Sequence, residues 1–331
     1  MEKAVSSLMN QEILNDFLER FGLEREVKKL GDFENYVFET YRNGHPFILR
    51  LTHSSHRSKD EALSELDWMR YLNNEGLSVP EVFPSENGLL AEEILAEDRS
   101  EFYGCLFAKA PGAAVSVRSE KFNEELFEKW GETTGRMHHA TKSYKPSKGI
   151  KARSSWDEDE LLSVEKYYPS DERVLVENAK EVIAEISALP KNIDNYGIIH
   201  TDIHSGNFFY DGKQIHVFDF DDASYHWFVS DIAIPLYYSI IYQIPASEEE
   251  ARNRFGQLFI KAFIEGYQKA NDLPEGWKEQ VPLFLMLRDI VLYSVLHKKI
   301  APEDRDEKLK IMMDEIAVRI RSKQPIVNIK I

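Results

Sequence analysis

The chain has 331 residues, of which 43% are hydrophobic and 30% are charged, a composition typical of a soluble globular protein. Its 41 lysine and arginine residues against 57 aspartate and glutamate residues give a net charge of −16. That balance argues against general binding to the phosphate backbone of nucleic acids, which requires a basic surface. The single cysteine, Cys105, excludes an internal disulfide and fits a reducing compartment.

The sequence gives no indication of a targeting or membrane-spanning segment. Residues 1–10 lack the basic start and the long apolar run of a signal peptide. The most apolar stretch, residues 232–244, is too short to cross a bilayer and contains Pro235, so it predicts a buried helix. We therefore expect a cytoplasmic protein with no membrane and no nucleic-acid partner.

The first third of the chain predicts a small lobe built around a sheet. Residues 5–21 have helical periodicity, and Gly22 predicts the end of that helix. Asn43-Gly44 is a hairpin signal between two strand patterns, and residues 58–76 predict a further helix. Extended segments follow, and Ala110-Pro111-Gly112 then breaks the pattern. We predict an N-terminal lobe over residues 1–109 and a C-terminal lobe over residues 110–331.

Helical patterns dominate the second lobe. Amphipathic or apolar helices are predicted over five segments: residues 120–141, 171–189, 247–270, 276–297 and 302–321. Short strands interrupt them between residues 196 and 220. The whole chain is therefore predicted to be an α+β protein.

The residues that point to chemistry lie in that interruption. The loop from His200 to Asn207 precedes two short strand patterns that flank Asp211-Gly212, a signal for a tight type I′ turn. This hairpin predicts that the loop lies close to Asp219. Oxygen donors such as Asn207 and Asp219 suit Mg²⁺. Asp202 is then left as a carboxylate that could accept a hydroxyl proton or orient a nucleophile.

Two other interpretations compete with a magnesium site. His200, Asp202 and His204 alternate, so on a strand they would face one way and could bind Zn²⁺ in a hydrolase. Ser205-Gly206 breaks such a strand, and no other histidine-rich cluster completes the ligand set. The second alternative is a solvated acidic turn in which the aspartates act only as caps.

The pattern His200-x-Asp202-x-x-x-x-Asn207, followed by Asp219, resembles the signature of the aminoglycoside phosphotransferase and choline kinase-like family. The resemblance covers about residues 23–300 and includes Asp231, where relatives have an aspartate that buttresses the catalytic loop. It implies a two-lobed protein-kinase-like fold with a small antiparallel-sheet N-lobe and a larger, mainly helical C-lobe. The run that begins at Asp219 places the chain nearest the branch of stress-response kinases and type II homoserine kinases.

In the C-terminal lobe, the resemblance implies three roles. Asp202 would be the catalytic base for a substrate hydroxyl. Asn207 and Asp219 would hold Mg²⁺ that bridges the phosphates of ATP.

In the N-terminal lobe, the resemblance implies how ATP is held. The turn from Gly31 to Asn35 would cover the phosphates, and Arg50 on the second strand would pair with Glu65 on the following helix. The segment over residues 103–109, which contains Phe107 and Lys109, would be the linker whose backbone meets adenine. Asp221 and Asp222 could hold a cationic group, make a second Mg²⁺ contact or cap the following turn.

The sequence departs from the kinase pattern at two places. Arg50 stands where many kinases have lysine, and its planar, larger headgroup makes the exchange non-conservative. Only about a dozen residues separate Asp219 from Asp231, which leaves no room for a phosphorylated activation loop. This second departure favours a small-molecule acceptor.

We therefore predict an ATP-dependent kinase that phosphorylates a hydroxyl group of an aminoglycoside, homoserine or choline-like molecule. A serine/threonine protein kinase of the stress-response type and a nucleotide-binding regulator with little transfer activity remain alternatives. The sequence leaves open the acceptor, the preference for ATP over GTP and the oligomeric state. Tyr237, Tyr238 and Tyr242 lie on an apolar helix and favour packing over function, and His204 is interpreted as an ordinary loop residue.

Overall fold

The computed structural model describes residues 3–330, so the first two residues of the N-terminal stretch that we searched for a targeting signal lie outside it. The helices, in chain order, are α1 (Lys3–Leu8), α2 (Gln11–Arg20), α3 (Lys59–Asn74), α4 (Glu124–Thr141), α5 (Val164–Tyr167), α6 (Arg173–Ser187), α7 (Phe228–Ile241), α8 (Glu249–Tyr267), α9 (Trp277–Lys299) and α10 (Glu307–Ser322). The strands are β1 (Lys28–Gly31), β2 (Asn35–Arg42), β3 (His45–His53), β4 (Val82–Phe83), β5 (Glu92–Leu95), β6 (Glu101–Ala108), β7 (Tyr196–Ile199), β8 (Phe208–Tyr210), β9 (Ile215–Val217) and β10 (Ser224–Trp227).

The chain divides into two compact units. Unit one contains the chain through Gly112 together with Tyr144–Arg153 and Tyr210–Asp221. Unit two contains Ala113–Ser143, Ser154–Phe209 and the residues from Asp222 onward. The lobe boundaries drawn from the sequence, 1–109 and 110–331, stay a prediction.

Unit one is built on an antiparallel sheet with strand order β1-β2-β3-β6-β4, in which β5 also pairs with β6. The hairpin predicted at Asn43-Gly44 joins β2 to β3, and both turn residues have a positive φ, 54° and 75°. In this register Arg50 lies opposite Val37 on one side and Cys105 on the other, so it stands in the centre of the sheet.

The N-terminal helical pattern folds as two helices rather than as the single predicted helix over residues 5–21. The break occurs because the side chain of Asn10 accepts hydrogen bonds from the backbone N–H groups of Glu12 and Ile13 and so begins α2. The buried face of α2 packs on the sheet, where Phe17 approaches Gly104 of β6. A Cβ at Gly104 would lie 2.4 Å from the Phe17 ring, so this position requires glycine.

Helix α3 follows its prediction closely. Ser58 and Glu61 form a capping box at its start, and Gly76, with φ at 77°, follows its last residues in the left-handed conformation. This helix carries Glu65 to a position where its side chain is 1% exposed.

Unit two is mainly helical. Helices α4 and α8 approach so closely that a Cβ at Gly131 or Gly266 would lie 1.8 Å from a backbone oxygen of the other helix. Helix α7 is buried along almost its whole length despite Pro235, as the sequence predicts. Helix α9 is long and apolar enough to cross a membrane, but 56% of its most apolar window is buried, which also describes a core helix.

Strands β7 and β10 pair antiparallel and frame the chemistry-bearing loop, which follows β7 directly. Strands β8 and β9 form a hairpin, but its turn is not the predicted two-residue type I′ turn. The connection spans Asp211 to Gln214, and the Asp211 carboxylate accepts the backbone N–H groups of Lys213 and Gln214. An antiparallel sheet in one unit and a helical second unit confirm the α+β, kinase-like fold class.

Candidate active site

The predicted ion pair between Arg50 and Glu65 is present in unit one. The guanidinium donates two parallel hydrogen bonds, from Nη1 to Oε1 at 2.8 Å and from Nη2 to Oε2 at 2.5 Å. Both side chains are buried, and the Phe107 ring centroid lies 5.2 Å from the guanidinium carbon. Burial opposes the charge on Arg50, but Glu65 outweighs it and raises the pKa of Arg50 well above its ordinary value. The fork geometry fixes the orientation of Arg50.

The turn predicted to cover phosphates joins β1 to β2 between Gly31 and Asn35. A Cβ at Gly31 would meet no atom within 4 Å, so this turn has no steric need for glycine at that position. Asn35 accepts a hydrogen bond from the Thr52 hydroxyl at 2.6 Å and donates one to Asp221 at 3.4 Å. Lys109, at the end of β6, pairs with Glu39 of β2 at 2.7 Å.

Asp221 is held by cations and amides within unit one. Its Oδ2 lies 2.5 Å from His56 Nε2, and its Oδ1 lies 3.7 Å from Arg57 Nε. Burial alone would raise its pKa, but these partners hold the pKa well below the ordinary value. Glu34, His56 and Asp221 bring ligand atoms within 4.8 Å of one another, yet the His56 bond and Arg57 already neutralise this group.

Asp219 follows β9 and is exposed, with φ at 65°. A non-glycine residue in the left-handed region is uncommon, although aspartate tolerates it better than most. Such conformations concentrate at functional sites, where the surrounding structure maintains them. The backbone therefore supports the importance of Asp219, while its role in metal binding stays a prediction.

In unit two, Asp231 buttresses the loop as the resemblance implies. Its carboxylate is fully buried and accepts the backbone N–H groups of His200 at 2.9 Å and Thr201 at 2.8 Å. Thr201, with φ at 64°, turns the chain immediately before Asp202. The buried His138 ring also contacts Asp231, with Nε2 at 3.4 Å from its Oδ2.

Asp202 and Asn207 are brought together in this loop. The Asn207 side-chain amide donates from Nδ2 to the backbone oxygen of Asp202 at 2.9 Å and to its Oδ2 at 3.0 Å. These two bonds fix the amide so that the side-chain carbonyl oxygen points away from Asp202. An amide oxygen presented in this way is a donor of the kind that Mg²⁺ prefers, and the metal-binding role of Asn207, like that of Asp219, stays a prediction.

The alternative zinc site finds no support in the part of the chain that the structure describes, because His200, Asp202 and His204 do not gather three ligand atoms there. The Nδ1 atom of His200 accepts the backbone N–H of Asp202, and that of His204 accepts the N–H of Gly206. His204 is more than a loop residue, since its Nε2 lies 3.3 Å from Asp202 Oδ2.

The sequence reasoning missed Arg288. This residue lies on α9, and its Nη2 is 2.5 Å from Asp202 Oδ1. It also donates from Nε and Nη2 to the hydroxyl of Tyr238, so that tyrosine does more than pack. Burial would raise the pKa of Asp202, but Arg288 and His204 outweigh it and hold the pKa below its ordinary value. The sequence signal that could have identified Arg288 is its position, next to Asp289, inside the apolar run of α9.

Known proteins resemble this chain over most of its length. Residues 25–277 match the phosphotransferase enzyme family. The chain is 38% identical over 300 residues to amicoumacin kinase of Bacillus subtilis (strain 168), covering 90% of this chain and 88% of that protein.

Two solved structures extend the comparison. A structure of amicoumacin kinase hAmiN in complex with AMP-PNP, Ca²⁺ and Ami has a TM-score of 0.93 at 34% identity, covering 100% of this chain and 98% of the other. A microcompartment-associated aminopropanol kinase has a TM-score of 0.76 at 20% identity, covering 95% and 98%, and shows the fold alone. The family prediction is thus confirmed, while the placement near stress-response and homoserine kinases stays a prediction. The chain belongs to the phosphotransferase enzyme family.

Proposed function

We propose that this protein transfers the γ-phosphoryl group of ATP to a hydroxyl group of a small molecule in the cytoplasm. The observation that carries the proposal is the geometry of Asp202, whose carboxylate is oriented by Asn207 on a loop anchored by Asp231. The similarity to amicoumacin kinase over nine-tenths of the chain supports a small-molecule acceptor and makes amicoumacin the first one to test.

Asp202 orients the acceptor in this proposal. Its carboxylate accepts a hydrogen bond from the acceptor hydroxyl and takes up the proton as the oxygen attacks the γ-phosphorus. A new bond forms between that oxygen and phosphorus, while the bond from phosphorus to the β,γ-bridging oxygen breaks and ADP leaves. Because phosphoryl transfer has a loose transition state, positioning and charge stabilisation supply most of the rate.

The nucleotide would be held by residues of unit one. Arg50, locked by Glu65, supplies a fixed positive charge for the phosphates, and the turn with Gly31 and Asn35 covers them. The backbone around Phe107 and Lys109 would meet adenine. These assignments rest on the motif resemblance, and the Arg50–Glu65 contact supports them.

Asn207 and Asp219 are the proposed ligands of Mg²⁺. The bound ion would neutralise charge on the ATP phosphates during transfer. The fixed amide of Asn207 supports this assignment, because its nitrogen is committed to Asp202 and its oxygen is the atom that remains for a cation.

The test is ADP release from Mg·ATP across amicoumacin, homoserine, choline, aminoglycosides and a generic protein substrate. We expect one small molecule to stimulate release in the wild type. The Asp202→Asn variant should lose about 10²–10⁴ of that turnover, the range for loss of a general base, while ATP binding persists. The variant Ser205→Ala, at a half-buried position of the same loop, serves as a loop control that keeps the activity.

Other outcomes would redirect the assignment. Stimulation by the protein alone would favour a protein kinase of the stress-response type. ATP binding without stimulated release by any acceptor would favour a nucleotide-binding regulator. Full turnover in Asp202→Asn would remove Asp202 from the mechanism.

A further inference from the structure

Arg288 forms a short contact with the proposed base within unit two. Its Nη2 lies 2.5 Å from Asp202 Oδ1, and the side chains of Arg288 and Asp202 are only 17% and 21% exposed. A partly desolvated charge pair of this length restricts the rotamers of both side chains. The other contacts of Asp202 determine which of its two carboxylate oxygens can still accept a hydrogen bond.

Arg288 is itself held from two sides. Tyr238 accepts hydrogen bonds from its Nε at 3.0 Å and its Nη2 at 2.5 Å, and the guanidinium carbon lies 4.8 Å from the Tyr238 ring centroid. Tyr242 stacks on Tyr238 with ring centroids 5.5 Å apart and an interplanar angle of 19°. Tyr242 is 57% exposed, so this aromatic pair leads from Arg288 to the surface of unit two.

The donors to Asp202 are distributed unevenly between its two oxygens. Asn207 and His204 both approach Oδ2, at 3.0 Å and 3.3 Å, whereas Arg288 approaches Oδ1. A carboxylate oxygen accepts about two hydrogen bonds, so within this unit Oδ2 is fully used and Oδ1 retains one position. A hydroxyl that hydrogen-bonds to Asp202 therefore fits at Oδ1, directly beside Arg288.

The guanidinium also carries a second terminal nitrogen, Nη1, on the same carbon as the Nη2 that contacts Asp202. Its contacts with the described residues use Nε and Nη2, and Nη1 donates to none of them. A carbonyl or carboxylate oxygen next to the reacting hydroxyl could accept from Nη1. An ammonium group at the same place has no lone pair to accept from Nη1 and would face the guanidinium charge, although the carboxylates of Asp202 and Asp222 also act there.

We propose that Arg288 positions Asp202 through Oδ1 and, with Tyr238, selects acceptors whose reacting hydroxyl lies beside a neutral or anionic oxygen-bearing group rather than an ammonium. This inference rests on the proposed function and names the acceptor class of that same site. It replaces the choline-like acceptor expected from the sequence with a hydroxy-amide or hydroxy-acid.

The first test measures binding and does not depend on transfer. Lactate, lactamide and 1-amino-2-propanol carry the same secondary alcohol beside a carboxylate, an amide or an ammonium. Their dissociation constants for the full chain are measured by ligand-observed NMR titration. We expect lactate and lactamide to bind the wild type at least about tenfold more tightly than 1-amino-2-propanol, because the fixed charge attracts or repels the neighbouring group.

The same titration on variants assigns the preference to Arg288. In Arg288→Gln the preference should fall below about threefold, whereas Arg288→Lys should retain it because the charge remains. Arg254→Gln, at a 73% exposed arginine of α8 that pairs with Glu250, is the matched control. A preference for the ammonium probe in the wild type, or equal selectivity in the wild type and Arg288→Gln, would overturn the proposal.

The second test separates positioning from folding, using the acceptor that stimulates ADP release. We expect Arg288→Gln to lower kcat about 10- to 100-fold, because the base loses its fixed geometry. The KM for ATP should stay within about twofold, since nucleotide binding does not involve Arg288. Arg288→Lys should recover part of kcat, and unchanged kcat in Arg288→Gln would contradict the positioning role. Charge selectivity without any stimulated release in the wild type would refute the proposed function but not the selectivity of this site.

Discussion

Arg50 and Glu65 illustrate how burial changes the contribution of a charged side chain to stability. The sequence placed them on a strand and the following helix, and the structure joins them by two hydrogen bonds with almost no solvent exposure. Surface ion pairs contribute little to stability, because water and salt screen them. A buried pair behaves differently, since either charge left alone has no partner to replace water.

We expect Arg50→Met and Glu65→Gln each to lower the free energy of unfolding by about 3–5 kcal/mol, because each leaves one buried group without its partner. The double variant Arg50→Met/Glu65→Leu should be less destabilised than the sum of the two single changes. Urea unfolding of the full chain measures all three. The control is Lys59→Met, at an ion pair with Glu93 in which the side chains are 40% and 36% exposed. Strict additivity in the double variant would contradict the coupling.

The residues around Asp202 differ in whether the sequence alone can identify them. The motif identified Asp202, Asn207 and Asp231, because their spacing is local to one loop and the following helix. Arg288 lies 86 residues further along the chain than Asp202, and no periodicity connects two such positions. Only the packing of α7 and α9 around the loop places Arg288 and Tyr238 beside the base.

At the scale of elements, the crossing of α4 and α8 depends on glycine. A Cβ at Gly131 would lie 1.8 Å from the Phe263 oxygen, and one at Gly266 would lie 1.8 Å from the Glu128 oxygen. Both neighbours are backbone atoms, which cannot turn aside as a side chain can. Helix propensity favours alanine over glycine by about 1 kcal/mol, so local and tertiary preferences conflict at these positions.

We expect Gly131→Ala and Gly266→Ala each to destabilise the protein by at least about 1–3 kcal/mol, the usual range for overpacking, because the two helices must move apart. Thermal unfolding followed by circular dichroism measures the loss. His139→Ala, at an exposed position of α4, is the control and should remain close to the wild type. A gain in stability at Gly131 would show that helix propensity outweighs the contact.

The other elements show a similar division between local and tertiary signals. Capping and turn residues marked α3 and the β2–β3 hairpin correctly, since these signals act within a few residues. The cap at Asn10 divides the N-terminal pattern into two helices, whereas the periodicity alone predicts one. The prediction of a two-residue turn at Asp211-Gly212 is wrong, because the Asp211 side chain closes a longer loop than the dipeptide alone predicts.

At the scale of the whole molecule, we expect the free energy of unfolding to fall in acid by more than a net charge of −16 alone would cause. His226 is buried among aromatic rings, with Trp156 and Phe284 at centroid distances of 5.2 Å and 5.6 Å. Burial lowers the pKa of His226 to about 3. Asp157, Lys191 and Asp231 act on it as smaller influences, and Asp231 and Asp157 oppose the effect of burial.

The sign of the pH effect follows from these two protonation states. Between about pH 6.5 and pH 3, the unfolded chain binds a proton at His226 and the folded chain does not, so stability falls as the pH falls. We expect His226 to account for a loss on the order of 2 kcal/mol between pH 7 and pH 4.5. Urea unfolding at both pH values should show a smaller loss in His226→Asn than in the wild type. The exposed control His139→Asn should keep the wild-type loss, and equal losses in all three proteins would refute the assignment.

The sequence by itself determined the family, the α+β class, most helices and the central loop, because each depends on residues that are near one another in the chain. The Asp202-to-Asn207 spacing and the position of Asp231 are of this local kind, and so is the hairpin at Asn43-Gly44. The tertiary structure alone decided which side chains surround the proposed base. It brought α9 against the loop, so that Arg288 meets Asp202, and it brought Asp221 to His56 and Asn35. Such contacts form because distant apolar faces must be buried together, and the charged residues that those faces carry are then paired where water is excluded.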